Sequence, residues 1–221
     1  GLPLAIELAA SRCGSMSLED IAASLDRPLA LARRRATGER HDSLRTLVAW
    51  SAKELDSRLE DVFVRTSSFA GPFTAAAAAV VVGMPVGSVA GALSEIADRS
   101  LLDVVPEDGP ATTYRFLETI RAFAHAELQQ RPEAGRIGER HAEWVLSVAE
   151  ASAASLVDST TAQPHVDLTT HLAEVRLAHQ RFLTLGDVDR AVRLSAALHF
   201  VAMLHMQSEM FTWIRDTAER F

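Results

Sequence analysis

The residues with the most obvious chemical potential are basic: Arg33, Arg34, Arg35, Arg40, His41 and Arg45 fall between positions 33 and 45. Guanidinium groups offer forked donors that suit phosphate oxygens. The cluster therefore reads either as an anion site, nucleotide phosphates included, or as a solvated linker beside a helix start. Linkers commonly carry such runs, and the linker reading is preferred. Catalytic chemistry finds no footing. There is no G-x-x-x-x-G-K-[ST] loop to cradle a triphosphate, no H-E-x-x-H or C-x-x-C metal spacing, and no G-x-S-x-G elbow. The eight histidines are scattered. His199 and His205, six apart on an expected helix, do not share a face and are not read as ligands. Trp50, Trp144 and Trp213 are read as core or helix–helix contacts.

Composition sets the bounds within which these residues act. The chain has 221 residues, 48% of them hydrophobic, enough for one large domain or two to three small ones. Its formal net charge of −7 disfavours non-specific nucleic-acid binding over the whole surface. The single cysteine, Cys13, cannot build a disulfide framework, which points to a reducing compartment and a small apolar role for the thiol. Gly1 to Ala10 is apolar but short and interrupted by Glu7, with no basic leader. The longest other apolar run, Ala75 to Val82, is far too short to span a bilayer. The expectation is a soluble, cytoplasmic, mainly α protein with no membrane partner. The opening, inside what reads as a helix start, suggests a piece of something longer.

Gly1-Leu2-Pro3, with Leu4, Ile6 and Leu8, reads as a helix carrying proline in its first turn. A capped start at Ser17 opens a short second helix that Pro28 stops. Glycine and dense charge around Gly38 mark a domain boundary. Asp42 or Ser43 is expected to cap a helix through Leu44, Leu47, Val48 and Trp50, and Asp56 to start another through Leu59, Val62, Phe63 and Phe69, broken at Gly71-Pro72. Thr74 caps a short alanine- and valine-rich helix ending at Gly83, and Pro85 opens the next, with Val89, Leu93 and Ile96 on one side. The period then changes: Leu101 to Val105 and Thr112 to Phe116 read as strands around a turn at Pro106 to Pro110. Three helices followed by a β-hairpin is the winged-helix arrangement. A helix through Ile120, Phe123, Ala124 and Leu128 follows, then a loop around Pro132 to Gly138 and a helix through Trp144, Val145 and Val148. After a polar loop near Asp158 to Pro164, antiparallel helices run over Leu168 to Leu185, Val188 to Leu204 and Ser208 to Phe221. Leu185-Gly186-Asp187 is a tight turn between two of them, and Ala191, Ala196 and Ala197 suit close helix pairs.

A DNA reader needs cations on its recognition helix and wing. The third helix, Pro85 to Ser100, carries Arg99 against Glu95 and Asp98, and the wing carries Arg115 against Asp103, Glu107 and Asp108. That surface repels phosphate, so the module is expected to pack against protein.

Segments in order resemble one family. Gly1-Leu2-Pro3-Leu4-Ala5-Ile6 resembles the Gly-x-Pro motif that follows the P-loop core of STAND-class, NB-ARC-like ATPases. Arg40-His41, Ser43-Leu44-Arg45, Trp50-Ser51, Leu55 and Phe69-Ala70-Gly71 resemble the entry to their winged helix, closest to bacterial transcriptional regulators of the LuxR and SARP (AfsR-like) kinds. Tyr114 to Ala124 resembles the end of that winged helix, and Arg140-His141-Ala142 and Leu185-Gly186-Asp187 the tetratricopeptide-like region beyond it. The resemblance implies a switch. ATP or ADP would be bound in the full-length parent by an upstream P-loop domain, with Gly1, Leu2 and Pro3 on the adenine side and Arg40, His41 and Arg45 as further candidates. An effector or protein partner would bind the helical repeats, and DNA would be met only through another domain. One departure matters. Leu117 stands where relatives place a phosphate-touching histidine, and Glu118 takes the aspartate position. Leucine donates no hydrogen bond, and Glu118 reads more simply as a cap of the following helix.

The organisation expected is a helical domain over 1–38, a winged-helix domain over 39–131 and a helical-repeat region over 132–221. The function expected is a regulatory, non-catalytic segment of an ATP-switched transcriptional regulator. The alternatives are an interaction scaffold with no nucleotide role, and a stand-alone winged-helix DNA binder.

Overall fold

The computed structural model describes positions 6, 10, 17 and 19 and residues 40–106, 111–157, 171–205 and 208–220. The chain is mainly α and divides into two compact units, Gly1–Ala134 and Gly135–Phe221. The helices expected before residue 38, the wing tip and the loop near Asp158 to Pro164 lie outside the described residues.

In the first unit the elements are α1 (Arg40–Ala52), α2 (Ser57–Thr66), β1 (Phe73–Thr74), α3 (Ala75–Val82), α4 (Val86–Asp98), β2 (Asp103–Val105), β3 (Thr113–Arg115) and α5 (Glu118–Gln129). Their boundaries follow from local chemistry. Asp56 caps α2, its Oδ1 accepting from the Leu59 amide at 2.8 Å. Three hydroxyls end the same helix: Thr66, Ser67 and Ser68 donate back to the carbonyls of Val62, Val64 and Arg65. Thr74 caps α3, and Gly83, at φ 76°, closes it in the left-handed conformation that glycine adopts without Cβ strain. α1 begins at Arg40, so Asp42 and Ser43 are helical residues and not caps. Phe69 lies in the turn beyond α2 and not on it.

The sheet has order β1-β3-β2, antiparallel throughout, with Val104 opposite Tyr114 and Tyr114 opposite Phe73. β1 was not expected. It extends the hairpin to three strands and joins it to the helices. The core beneath is aromatic: Phe69 stacks on Phe73 at 4.6 Å, and Phe116 lies 5.6 Å from Phe63 and 6.1 Å from Phe73. Leu59, Val62, Val89, Leu93, Ile96, Leu101 and Ile120 complete it. Past the end of α5, Arg131 pairs with Glu60 and Asp61 of α2, while Arg65 reaches Asp61 and Glu133. The five charges form a network between α2 and the turn that follows α5.

The second unit is α6 (Ala134–Val157), α7 (Leu172–Leu185), α8 (Val188–His205) and α9 (Ser208–Arg220). The loop expected over Pro132 to Gly138 is shorter: Pro132 and Glu133 form a turn, and Ala134 to Gly138 are already the first residues of α6. Its glycines have a packing role: a Cβ on Gly138 would lie 2.8 Å from Arg181 Nη1, and Arg181 Nη2 donates to the Gly135 carbonyl at 2.7 Å. Gly186, at φ 67°, ends α7, and Asp187 Oδ1 accepts from the Arg190 amide at 3.1 Å to start α8. The core includes Val145, Leu146, Val175, Phe182, Leu194, Leu198 and Trp213. Ala191 and Ala197 are buried in it, whereas Ala196 is exposed.

Two polar contacts run through this apolar core. His141 Nε2 meets Glu174 Oε2 at 2.7 Å between α6 and α7, both side chains almost fully buried. His179 Nε2 meets Thr217 Oγ1 at 2.8 Å, and Thr217 Oγ1 in turn lies 3.1 Å from Ser195 Oγ, tying α7, α8 and α9. Removing one partner of a buried polar pair leaves that bond of the other unmade. Glu174→Ala should therefore lower unfolding stability by about 3 kcal/mol. Urea titration followed by far-ultraviolet circular dichroism checks this, and an unchanged midpoint would show that the pair contributes nothing.

Candidate functional site

α3, the turn at Gly83 to Pro85, and α4 form a helix-turn-helix pair whose axes bend by 111°, within the range of that motif. α4 is the element that enters the major groove in DNA readers of this architecture. Val89, Ala92, Leu93 and Ile96 are its buried positions, and their spacing fixes which positions face outward. Those are Val86, Gly87, Ser88, Gly91, Ser94 and Asp98, all exposed. No lysine or arginine occurs between Val86 and Asp98.

The cations nearest this face are spent on neighbours. Arg99, just past the helix end, donates Nη1 to the Glu95 carbonyl at 2.8 Å. Glu95 itself accepts from Arg58 of α2 at 2.7 Å. On the wing strands Arg115 lies 3.8 Å from Asp103. The apolar side chains Val80, Val86 and Val104 are about half exposed. A Cβ built on Gly87 or on Gly91 would meet nothing within 4 Å, so these glycines fill no steric need within the chain. The surface is smooth, weakly acidic and partly apolar. Phosphate neutralisation, which supplies most non-specific DNA affinity, finds no cation on α4 itself. Contact with another protein surface suits it better.

The nucleotide-side candidates are placed unevenly. Gly1, Leu2 and Pro3 lie outside the described residues, as do Arg33, Arg34 and Arg35. Arg40 and His41 begin α1, though their side chains are not described, and Arg45 is exposed on α1, which packs on α5. Leu117 is the N-cap residue of α5, with φ −67° and ψ 140° and no side-chain capping bond. Glu118 therefore is not the cap that the sequence suggested. It sits in the first turn, 79% exposed, and pairs with Arg121 at 3.2 Å, where a carboxylate is favoured by the helix dipole. Among the described residues no group of three or more histidine, cysteine or acidic side chains could hold a metal ion. Among them, too, no single helix is long and apolar enough to cross a membrane; α3 and α4 reach that length only as a bent pair.

The Arg58–Glu95 contact spans 37 positions, and no local sequence signal could have found it. The acidic balance of α4 was readable; the disposal of its flanking cations was not.

Comparison with known proteins agrees with this architecture. Residues 55–129 match the winged helix-turn-helix domain family. Provisionally named HTH-type transcriptional regulators of Mycobacterium bovis and Mycobacterium tuberculosis are 32% identical to this chain over 228 aligned positions, covering 99% of it. The chain spans about a quarter of the length of these relatives, 25% of each. No solved structure matches. The chain thus carries a winged helix-turn-helix domain and is similar, along nearly its whole length, to about a quarter of the length of HTH-type transcriptional regulators.

Proposed function

We propose that this chain is a non-catalytic regulatory segment of a longer, cytoplasmic transcriptional regulator, in which the winged module docks on protein rather than on DNA. The observation that carries the reading is the exposed face of α4, which has Asp98 and no cation. The relatives' names supply the transcriptional context, and their greater length leaves room for other domains. In this reading an upstream P-loop domain of the same polypeptide binds ATP or ADP and is the docking partner of the winged module. The second helical unit receives an effector or protein partner, and a separate domain contacts DNA. Docking in one nucleotide state and release in the other would shift the population between off and on forms.

A second reading is favoured by Leu117. Its side chain offers no donor to a phosphate, and α5 begins there without a capping side chain. The same module would then serve as an interaction scaffold with no nucleotide role. The coding sequence upstream separates the two: a P-loop supports the switch, and its lack supports the scaffold. A stand-alone DNA-binding module is the reading that α4 opposes.

Two measurements test the docking face. In fluorescence anisotropy with a labelled duplex at about 0.15 M salt, the chain should bind more weakly than the usual non-specific range of about 10⁻⁴–10⁻⁶ M; micromolar binding that weakens steeply with salt would refute the proposal. Separately, Gly91→Ala should raise the stability of this chain by about 0.5–1 kcal/mol, because Ala is preferred inside a helix and the site is open. Urea unfolding checks it, and a loss of stability would mean that the Gly91 face is already packed within the chain.

A further inference from the structure

Two buried histidines of the second unit have different surroundings. His141 of α6 faces a buried carboxylate, Glu174 of α7, at 2.7 Å. His179 of α7 bonds to a hydroxyl instead. Its Nε2 lies 2.8 Å from Thr217 Oγ1 of α9, and its ring stacks on Trp213 with centres 6.0 Å apart. Thr217 donates its own hydroxyl hydrogen to the Trp213 carbonyl at 2.9 Å. Its oxygen therefore accepts from His179 Nε2–H and from the Ser195 hydroxyl of α8, 3.1 Å away. His179, Ser195, Trp213 and Thr217 are all buried. The network is complete with a neutral imidazole, and a buried charge without a paired opposite charge is costly.

The charges around His179 do not supply that pairing. On α9, Asp216 lines a pocket together with His179, but its side chain is 44% exposed and lies 3.4 Å from Arg215. On α7, Arg176 lines the same pocket one turn before His179 and is itself a cation. α8 contributes the Ser195 hydroxyl. Burial is the largest influence on His179 and holds its pKa below the usual histidine value, against Asp216 and the Trp213 carbonyl, which favour the charged form. The pocket, about 250 Å³ between α7 and α9, gives water and protons a route to the ring.

We propose that His179 is an acid-sensitive latch: protonation of its imidazole releases α9 from α7 and leaves the His141–Glu174 contact between α6 and α7 in place. α9 also packs along α8, which serves as its hinge. The direction follows from proton linkage. With its pKa held low while α9 is docked, and near the ordinary value of about 6.5 once α9 has left, His179 takes up a proton on release. Docking is at full strength above about pH 6.5 and weakens as pH falls below it, by at most about tenfold in the release equilibrium per pH unit. The latch is independent of the docking reading for α4.

The test is backbone amide hydrogen exchange of the whole chain at about pH 7.5 and about pH 5.5, corrected for the intrinsic pH dependence of exchange, with the His179 imidazole titrated by nuclear magnetic resonance. His179 should titrate below about 6.5. The α9 amides should lose protection at least about twofold on acidification, while the α6 amides stay protected. In His179→Gln, whose amide still donates to Thr217 and takes up no proton near neutrality, α9 protection should be the same at both pH values. The titration and the exchange of the unaltered chain decide the matter even if that variant folds poorly. A His179 that titrates at or above the usual value would overturn the proposal. So would α9 protection that acid leaves unchanged, loss of α6 and α9 protection together, or an acid response that His179→Gln retains. None of these readouts involves DNA, nucleotide or α4, so their failure would leave the docking reading standing on its own test.

Discussion

The register of α4 against its core governs what the winged module can do. Burying Val89, Ala92, Leu93 and Ile96 allows one rotation of the helix about its axis. That rotation turns Gly87, Gly91, Ser94 and Asp98 outward. The rest of the unit holds it there. The aromatic set Phe63, Phe69, Phe73 and Phe116 fills the space beneath, and the three-stranded sheet with the Arg131 network braces the helices around it. A fold that elsewhere reads DNA is here built around a helix without cations on its outer face. The architecture alone does not decide the partner; the side chains on the presented face do.

Local chemistry was legible before any coordinates. The caps at Asp56 and Thr74 and the stops at Gly83 and Gly186 use side chains or backbone freedom that act within a few residues. A sequence shows such interactions directly. β1 was missed because two residues cannot display alternation, and Thr74 already had a role as a cap. Gly135 and Gly138 read as a loop because glycine usually marks one. The reason for Gly138 lies 43 positions away, in the Arg181 side chain that crosses over it. The start of α1 was placed late because Asp42 and Ser43 look like caps, while Arg40 does not.

The parts of the site that were not legible are all long-range. The His141–Glu174 pair spans 33 positions and the His179–Thr217 contact 38. The histidines looked scattered in the chain, yet two of them are core groups with assigned partners. The pocket follows from the same closure: Arg176 of α7 and Asp216 of α9 line a common space only once both helices have packed on α8. Each unit thus presents a different surface chemistry. The winged module offers a weakly acidic, partly apolar face, and the helical unit offers a small pocket with balanced charge.

The docking of α4 is tested most directly in the full-length parent protein, with Ser94→Cys labelled by a benzophenone photocrosslinker in the presence of its promoter DNA. Illumination should join position 94 to another domain of the same polypeptide, identified by mass spectrometry of the crosslinked peptides, with no DNA adduct. Crosslinking of position 94 to the duplex would contradict the account.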